Sequence, residues 1–289
     1  MGKLQSPEGV RQIQTAYGFK ANKSLGQNFL TDDSVIEDIV NAVDPGPEDL
    51  VIEIGPGLGV LTRALAPRCG RLAAIEIDKE LIPILKETLR DHPNVTVVNQ
   101  DVLNVDMKQL IGEFSVLPSG QRIRSVKIAG NLPYYITTPI IMSLLEAELP
   151  IESITMMVQK EVADRLMSPP SKEGYGVLTL HAAYYSTIDY IRDVDRLCFR
   201  PVPKVQSSVL RLNIQKERAV QPKDPDLMFR LIKAGFGQRR KTLINALKGG
   251  GFDADGISAA LQQAGIDGRR RAESLSLEEF AAIADHLCN

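Results

Sequence analysis

The sequence predicts a doubly wound α/β sheet followed by a small all-helical domain. Short apolar runs alternate with amphipathic helical runs through the first two thirds of the chain. A glycine loop, Gly55-Pro56-Gly57-Leu58-Gly59, lies between one such strand and the helix after it. From about Pro222 onward only helical patterns occur. The chain has 289 residues, room for one large domain and one small one.

Residues 1–24 carry no strong periodicity and read as an N-terminal extension that drapes over the body or is partly mobile. Leu25-Gly26-Gln27-Asn28-Phe29-Leu30 follows, with Thr31 and Asp32 as helix-start residues before the amphipathic run Val35, Ile36, Ile39, Val40, Val43. That helix ends before Pro45-Gly46-Pro47. Leu50–Ile54 is a short apolar strand that feeds the glycine loop, and Leu58, Leu61, Thr62, Leu65 and Ala66 continue as a helix.

Gly55 and Gly57 let the backbone approach a ligand. The spacing departs from the dinucleotide fingerprint, which would place its third glycine at Val60 instead of Gly59. A tighter loop beside acidic Glu53 suits a ligand without phosphate and with positive charge; a plain structural turn is the other reading.

Leu72–Asp78 is a second strand ending in acid, and Glu76 follows Gly55 by 21 residues, near the ~20 at which such folds set a carboxylate on ribose hydroxyls. A helix over Lys79–Arg90 and a strand over Val95–Val98 lead to Asp101, an acceptor for an adenine amino group. Residues 112–124 read as a surface loop. The fourth strand leaves Val126, Ile128 and Ala129, breaks at Gly130, and continues as Asn131-Leu132-Pro133-Tyr134-Tyr135. Pro133 removes a backbone donor and biases Leu132 towards an extended conformation, which fixes Leu132 C=O relative to the Asn131 amide. Two acceptors beside the Tyr134 ring suit a planar base bearing an amino group; an ordinary turn with inward aromatics is the alternative. Adjacency alone gives Tyr135 no chemistry, and it is expected to pack.

Thr137–Glu148 reads as a helix capped by Thr137-Thr138, with Pro139 in its first turn. A strand over Ile154–Val158 and a helix over Glu161–Met167 lead to a flexible loop, 168–174, able to cover a cleft. A helix over Val177–Tyr184 precedes an alternating stretch, Ile188, Tyr190, Ile191, Val194. The prolines of Phe199-Arg200-Pro201-Val202-Pro203-Lys204-Val205-Gln206-Ser207 make an extended strip that presents Phe199 and two cations, and Val209–Ile214 closes the sheet. The tail holds helices over 227–236, 238–247, 257–264 and 277–287. Arg239-Arg240-Lys241 stands at a helix start, where the dipole disfavours cations, and so points to an anionic partner; Arg269-Arg270-Arg271 lies in a loop.

Hydrophobic content of 44% and charged content of 24% are those of an ordinary soluble protein. No apolar run approaches the ~20 residues that span a bilayer, and the polar N-terminus lacks a leader's apolar core, so no membrane partner and a cytoplasmic location are expected. The three cysteines and three histidines are scattered, which supports neither a metal site nor a disulfide framework. The net charge of -2 is unevenly spread: from Pro201 on, 14 basic residues face 10 acidic ones, against 20 and 26 before it. An acidic body with a basic appendage is compatible with RNA.

Taken together, Gly26–Leu30, Glu53–Gly59, Glu76, Asp101, Asn131-Leu132-Pro133-Tyr134 and Phe199–Ser207 resemble the ribosomal RNA adenine N6,N6-dimethyltransferase family, most of all its bacterial small-subunit branch. The resemblance runs from about Asn22 to the C-terminus, with no departure at these positions. It implies a Rossmann-like class I methyltransferase sheet over residues 25–215, a helical RNA-binding domain over 216–289, and S-adenosylmethionine as methyl donor. The substrate implied is two adjacent adenosines near the 3′ end of small-subunit ribosomal RNA, met in a pre-assembled subunit by a monomer. Donor contacts carried over by position fall on Asn28, Leu30, Gly55, Glu76, Asp101 and Asn131, with Gly57 beside them. Asn28 and Leu30 rest on the resemblance alone. Asn131, Leu132, Pro133, Tyr134 and Phe199 would hold the target base, the two rings covering its faces. Arg200, Lys204, Arg239, Arg240 and Lys241 would meet RNA. The rivals are a large-subunit dimethyltransferase of the antibiotic-resistance type and a non-catalytic RNA-binding assembly factor on the same fold. An NAD oxidoreductase is disfavoured by Val60.

Overall fold

The computed structural model describes residues 6–288, so residues 1–5 of the expected N-terminal extension lie outside the described residues. Two compact units emerge: the chain up to Ala163 with Ile188–Ile214, and Asp164–Thr187 with the chain from Gln215.

The first unit is built on a seven-stranded sheet of β2 (Asp49–Ile54), β3 (Arg71–Glu76), β4 (Val95–Asn99), β5 (Ser125–Asn131), β6 (Ser153–Gln159), β7 (Ser186–Val194) and β9 (Ser207–Ile214). Their spatial order is β4-β3-β2-β5-β6-β9-β7. The strands from β4 to β6 in that order run parallel, and β9 is antiparallel to β6. β2 is therefore where the winding reverses, and its carboxyl end lies beside those of β3 and β5. All of β2 is buried, as its unbroken apolar run suggested. β9, the last strand in sequence, completes the sheet by inserting between β6 and β7.

Between these strands stand α2 (Asp33–Val43), α3 (Val60–Leu65), α4 (Leu81–Thr88), α5 (Met107–Glu113) and α6 (Thr137–Glu146). Asp32 caps α2 by accepting from Ser34 and Val35 N–H, and Asp44 ends it in the left-handed conformation ahead of Pro45. Sequence periodicity did not reveal α5, a seven-residue helix capped by Asp106. Thr137 is not a cap: it lies inside α6 and donates its hydroxyl to Pro133 O at 2.9 Å.

Two further elements revise the sequence reading. Residues Pro7–Tyr17 form α1, with Ser6 Oγ accepting from Gly9 N–H and Pro7 opening the first turn. Val10 and Ile13 bury its inner face in a cluster with Phe19, Phe29, Leu58 and Leu81, so the described part of the extension is packed structure. Phe29–Leu30 (β1) pairs antiparallel with Phe199–Arg200 (β8), Leu30 opposite Phe199. Two-residue strands have no periodicity to read.

The second unit contains α8 (Val177–Tyr185), α9 (Pro225–Gly237), α10 (Leu243–Gly249), α11 (Ala254–Gln263) and α12 (Leu277–Leu287), and α7 (Lys160–Leu166) leads into it. Ser276 and Glu279 form a capping box at α12. The loop over 168–174, expected to cover a cleft, is tied into this unit: Ser171 N–H donates to Glu273 O at 2.8 Å and Ser168 Oγ to Glu173 O at 2.9 Å. Just after it, Tyr175 Oη donates to Leu275 O at 2.7 Å. His181 stacks on Phe229 at 4.1 Å. These contacts draw residues 164–187 to the helices, so the compact units do not coincide with a division at residue 215. Among the described residues no helix is long and apolar enough to cross a membrane.

Candidate active site

The first unit gathers its polar strand ends at the carboxyl edge of β2, β3, β4 and β5. Gly55, Gly57 and Gly59 all have positive φ, at 70°, 58° and 82°. A Cβ on Gly57 would stand 3.2 Å from the Phe29 ring of β1, and its positive φ adds strain for any other residue, so glycine suits this close passage. Glu76, 5% exposed, holds the loop from below. Its Oε2 accepts from Gly57 N–H at 3.2 Å and its Oε1 from Asp78 N–H at 2.9 Å. Burial holds the Glu76 carboxyl above its ordinary range, against these backbone donors.

Asp78 in turn accepts from Gln27 Nε2 at 2.6 Å, and Gln27 Oε1 accepts from Asn22 N–H at 2.7 Å. One hydrogen-bond chain thus joins the segment before β1 to the Glu76 carboxylate. Glu53 is fully buried one strand away, and its Oε2 has no hydrogen-bond partner among the described residues. Burial, reinforced by the charge on Glu76, lifts its carboxyl to about 8, so it is protonated at neutral pH. Asp101 ends the row and caps the short turn Val102–Asn104, its Oδ1 accepting from Leu103 N–H at 3.0 Å.

The loop after β5 completes the site. A Cβ on Gly130 would lie 2.6 Å from Ile54 O, so the close passage of β5 against β2 requires glycine there. Asn131 Nδ2 donates to Asn28 O at 3.2 Å, which turns its Oδ1 outward as an acceptor. Leu132 is buried and its N–H donates to Met157 O at 3.2 Å, while nothing among the described residues donates to its carbonyl. Two acceptors, one on a side chain and one on the backbone, are thus neighbours on the cleft wall. Tyr134 shares a 2.7 Å hydrogen bond with Ser207 Oγ. Burial raises its phenol pKa, and the bond to Ser207 opposes that shift.

These residues line one cleft, whose walls include Asn28, Leu30, Gly55, Gly57, Glu76, Asp101, Asn131, Leu132, Pro133 and Tyr134. Every residue proposed from sequence to hold the methyl donor lies on it. Phe199 does not: it is 0% exposed, packed with Leu30, Val35 and Val209, and has no open face for a base. Its apolar strip is recruited into the core by the pairing of β8 with β1. Tyr135, expected to pack, is instead 54% exposed.

Arg200 is half-buried and donates to the Leu197 and Phe199 carbonyls, whereas Lys204 is exposed. In the second unit Arg239, Arg240 and Lys241 are exposed in the turn between α9 and α10. α10 begins only at Leu243, with Thr242 as its N-cap, so the expected helix over 238–247 is shorter and the three cations precede it. Arg269, Arg270 and Arg271 pair with Asp267, Glu279 and Glu273.

The family model for ribosomal RNA adenine dimethylase matches residues 18–288. The chain belongs to the ribosomal RNA adenine dimethylase family. It is 46% identical to ribosomal RNA small subunit methyltransferase A of Alkaliphilus metalliredigens, over 98% of this chain and 97% of that one. It is 44% identical to the protein of the same name from Bacillus licheniformis, again over 98% and 97% of the two chains. The solved structure of the 23S rRNA methyltransferase ErmE is 28% identical, with a TM-score of 0.66 over 91% of this chain and all of that one. A dimethyladenosine transferase from Plasmodium falciparum, 22% identical, shares the fold with a TM-score of 0.69 over 88% and 95%. The sheet is a Rossmann-like class I methyltransferase sheet.

The cofactor of this rRNA adenine dimethylase is S-adenosylmethionine, and the cleft has features that suit it. Glycines 55 and 57 leave the space a side chain would fill, and Glu76 and Asp101 place carboxylates along it, suited to hydroxyl and amino donors. Among the described residues that line it there is no lysine or arginine to bind a phosphate. Sequence reasoning missed Gln27 and Asp78 as partners, because a hydrogen bond across 51 residues leaves no local pattern.

Proposed function

We propose that this chain dimethylates N6 of two adjacent adenosines near the 3′ end of small-subunit ribosomal RNA, acting as a cytoplasmic monomer on a pre-assembled subunit. The observation that carries the reading is the pair of consecutive acceptors, Asn131 Oδ1 and Leu132 O, on the cleft wall, neither with a donor among the described residues. Relatives 44–46% identical over nearly the whole chain are named for the small subunit, against 28% for the 23S enzyme.

Asn28, Leu30, Gly55, Gly57, Glu76, Asp101 and Asn131 would hold S-adenosylmethionine, which would supply an electrophilic methyl group. Adenine N6 is a poor nucleophile because its lone pair is delocalised into the ring. Asn131 Oδ1 and Leu132 O each accept one N6 hydrogen, which orients the amine and favours a pyramidal nitrogen without a strong base. Pro133 fixes the backbone between them and the ring that follows. Tyr134, anchored through Ser207, stacks on the base. The target adenosine has to leave its helix or stack to reach these acceptors, so single-stranded or loop RNA is the substrate form. In each transfer the N6–methyl bond would form as the sulfonium–methyl bond breaks, the thioether leaving and the displaced N6 proton passing to solvent; after the first, one acceptor stays engaged and the pocket admits the new methyl where the other was. Arg200, Lys204 and, in the helical unit, Arg239, Arg240 and Lys241 contact the RNA backbone.

Transfer of tritiated methyl from the donor to small-subunit particles, to large-subunit particles and to their naked RNAs tests the reading. Label confined to the small-subunit particle supports it. Label in large-subunit RNA favours the antibiotic-resistance type, and donor binding without any transfer favours a non-catalytic assembly factor.

A further inference from the structure

We propose that Tyr135 is the platform on which the base next to the target adenosine stacks. The proposal rests on the reading of the chain as an RNA adenine methyltransferase, and it adds a residue that reading does not use.

Tyr134 and Tyr135 begin a 3-10 turn, Tyr134–Ile136, directly after the two acceptors. Successive side chains on such a turn diverge by about 120°. Tyr134 is committed to Ser207 at 2.7 Å, so Tyr135 is directed elsewhere. It lines the mouth of the same cleft yet is 54% exposed, and its hydroxyl has no partner among the described residues. An aromatic ring left in water beside a binding site is an unused apolar surface. One edge of the ring is backed by Gly26: a Cβ there would stand 3.6 Å from Tyr135 Cδ1. Gly26 has φ of +63°, so the backbone it presents to that edge is one other residues adopt only under strain.

Drawing an adenosine into the pocket also strips its neighbour of a stacking partner. The neighbouring base is one phosphodiester away, and an exposed ring one residue beyond the base-holding tyrosine is placed to replace that stack. Stacking on an aromatic ring uses the π-face of any base, so Tyr135 takes an unpaired nucleobase, here the second of two tandem adenosines in one of the two transfers.

The test compares wild type, Tyr135→Ala, Tyr135→Phe and Tyr135→Trp on small-subunit RNA particles. It is repeated with a particle carrying an abasic site beside the target. Tyr135→Ala raises KM for RNA between about 5-fold and 160-fold, the range expected for one base–aromatic stack. Its kcat stays within about twofold and its affinity for S-adenosylmethionine is unchanged, while Phe and Trp restore KM. The abasic substrate loses the same factor with wild type and nothing more with Tyr135→Ala. An unchanged KM in an active Tyr135→Ala, an equal loss of donor affinity, or additive losses with the abasic substrate overturns the proposal. Wild-type protein that transfers no methyl overturns the functional reading, and this proposal with it.

Discussion

Tyr134 Oη and Ser207 Oγ lie 2.7 Å apart in a hydrogen bond that joins the acceptor loop after β5 to the start of β9, where the proline-rich strip ends. Ser207 is fully buried, so the bond fixes the Tyr134 ring to the core of the sheet. A hydrogen bond of this kind contributes about 0.5–1.5 kcal/mol net. Tyr134→Phe and Ser207→Ala are each expected to lower kcat about 2- to 10-fold. The double variant should lose no more than the worse single one, because both cut the same bond. Additive losses in that double-mutant cycle would show that the anchoring bond is not what Ser207 contributes.

Gln27, Asp78 and Glu76 form the chain that ties the segment before β1 to the glycine loop. Gln27→Ala should weaken S-adenosylmethionine binding about 2- to 10-fold, the net worth of one hydrogen bond, about 0.5–1.5 kcal/mol. Turnover at saturating donor should stay near wild type, since Gln27 does not reach the acceptors. Isothermal titration and donor-dependent kinetics check this; a loss in kcat with unchanged affinity contradicts it.

Glu53 titrates near 4.5 when unfolded and about 8 in the fold. Between those values the native state holds a proton that the unfolded chain has released. The stability this proton represents is present in full below about 4.5 and is lost as the pH rises through 8. Glu53→Gln keeps the neutral shape and removes the titration. Its melting temperature should exceed that of wild type at pH 8 by the equivalent of a few kcal/mol. Parallel melting profiles across pH 5 to 9 would place the proton elsewhere.

Arg239, Arg240 and Lys241 are exposed, so their replacement by alanine leaves the fold intact. RNA affinity should fall, and the slope of log affinity against log salt should shrink by about 0.7–0.9 for each phosphate that is no longer neutralised. Filter binding over a salt series reads both. An unchanged slope removes this turn from the RNA surface.

Long elements with regular burial were legible in the sequence: β2, β3 and β5 as apolar runs, α2 between Asp32 and Pro45, and α12. The acidic strand ends and the Asn131 loop were legible too, because a doubly wound sheet collects its ligands at one edge. Three features lay outside that grammar. The pairing of Leu30 with Phe199 is a contact between two-residue strands, and it buried a ring that looked available for stacking. α1 carried its Ser6-Pro7 start signal, but its buried face is only Val10 and Ile13 with Gly9, too few to show as a period. Tyr135 looked like packing beside Tyr134, since adjacency says nothing about which of two neighbours is drawn inward.

The central claim, that Asn131 and the Leu132 carbonyl hold adenine N6 for methylation of small-subunit RNA, is tested most directly by mass spectrometry. Ribosomal RNA is analysed after incubation with donor and either wild type or Asn131→Ala, each protein first titrated with S-adenosylmethionine. Wild type should leave two adjacent N6,N6-dimethyladenosines near the 3′ end of small-subunit RNA. Asn131→Ala should leave none while still binding the donor. Small-subunit RNA left unmodified by wild type, or dimethylated as fully by Asn131→Ala, would contradict the account.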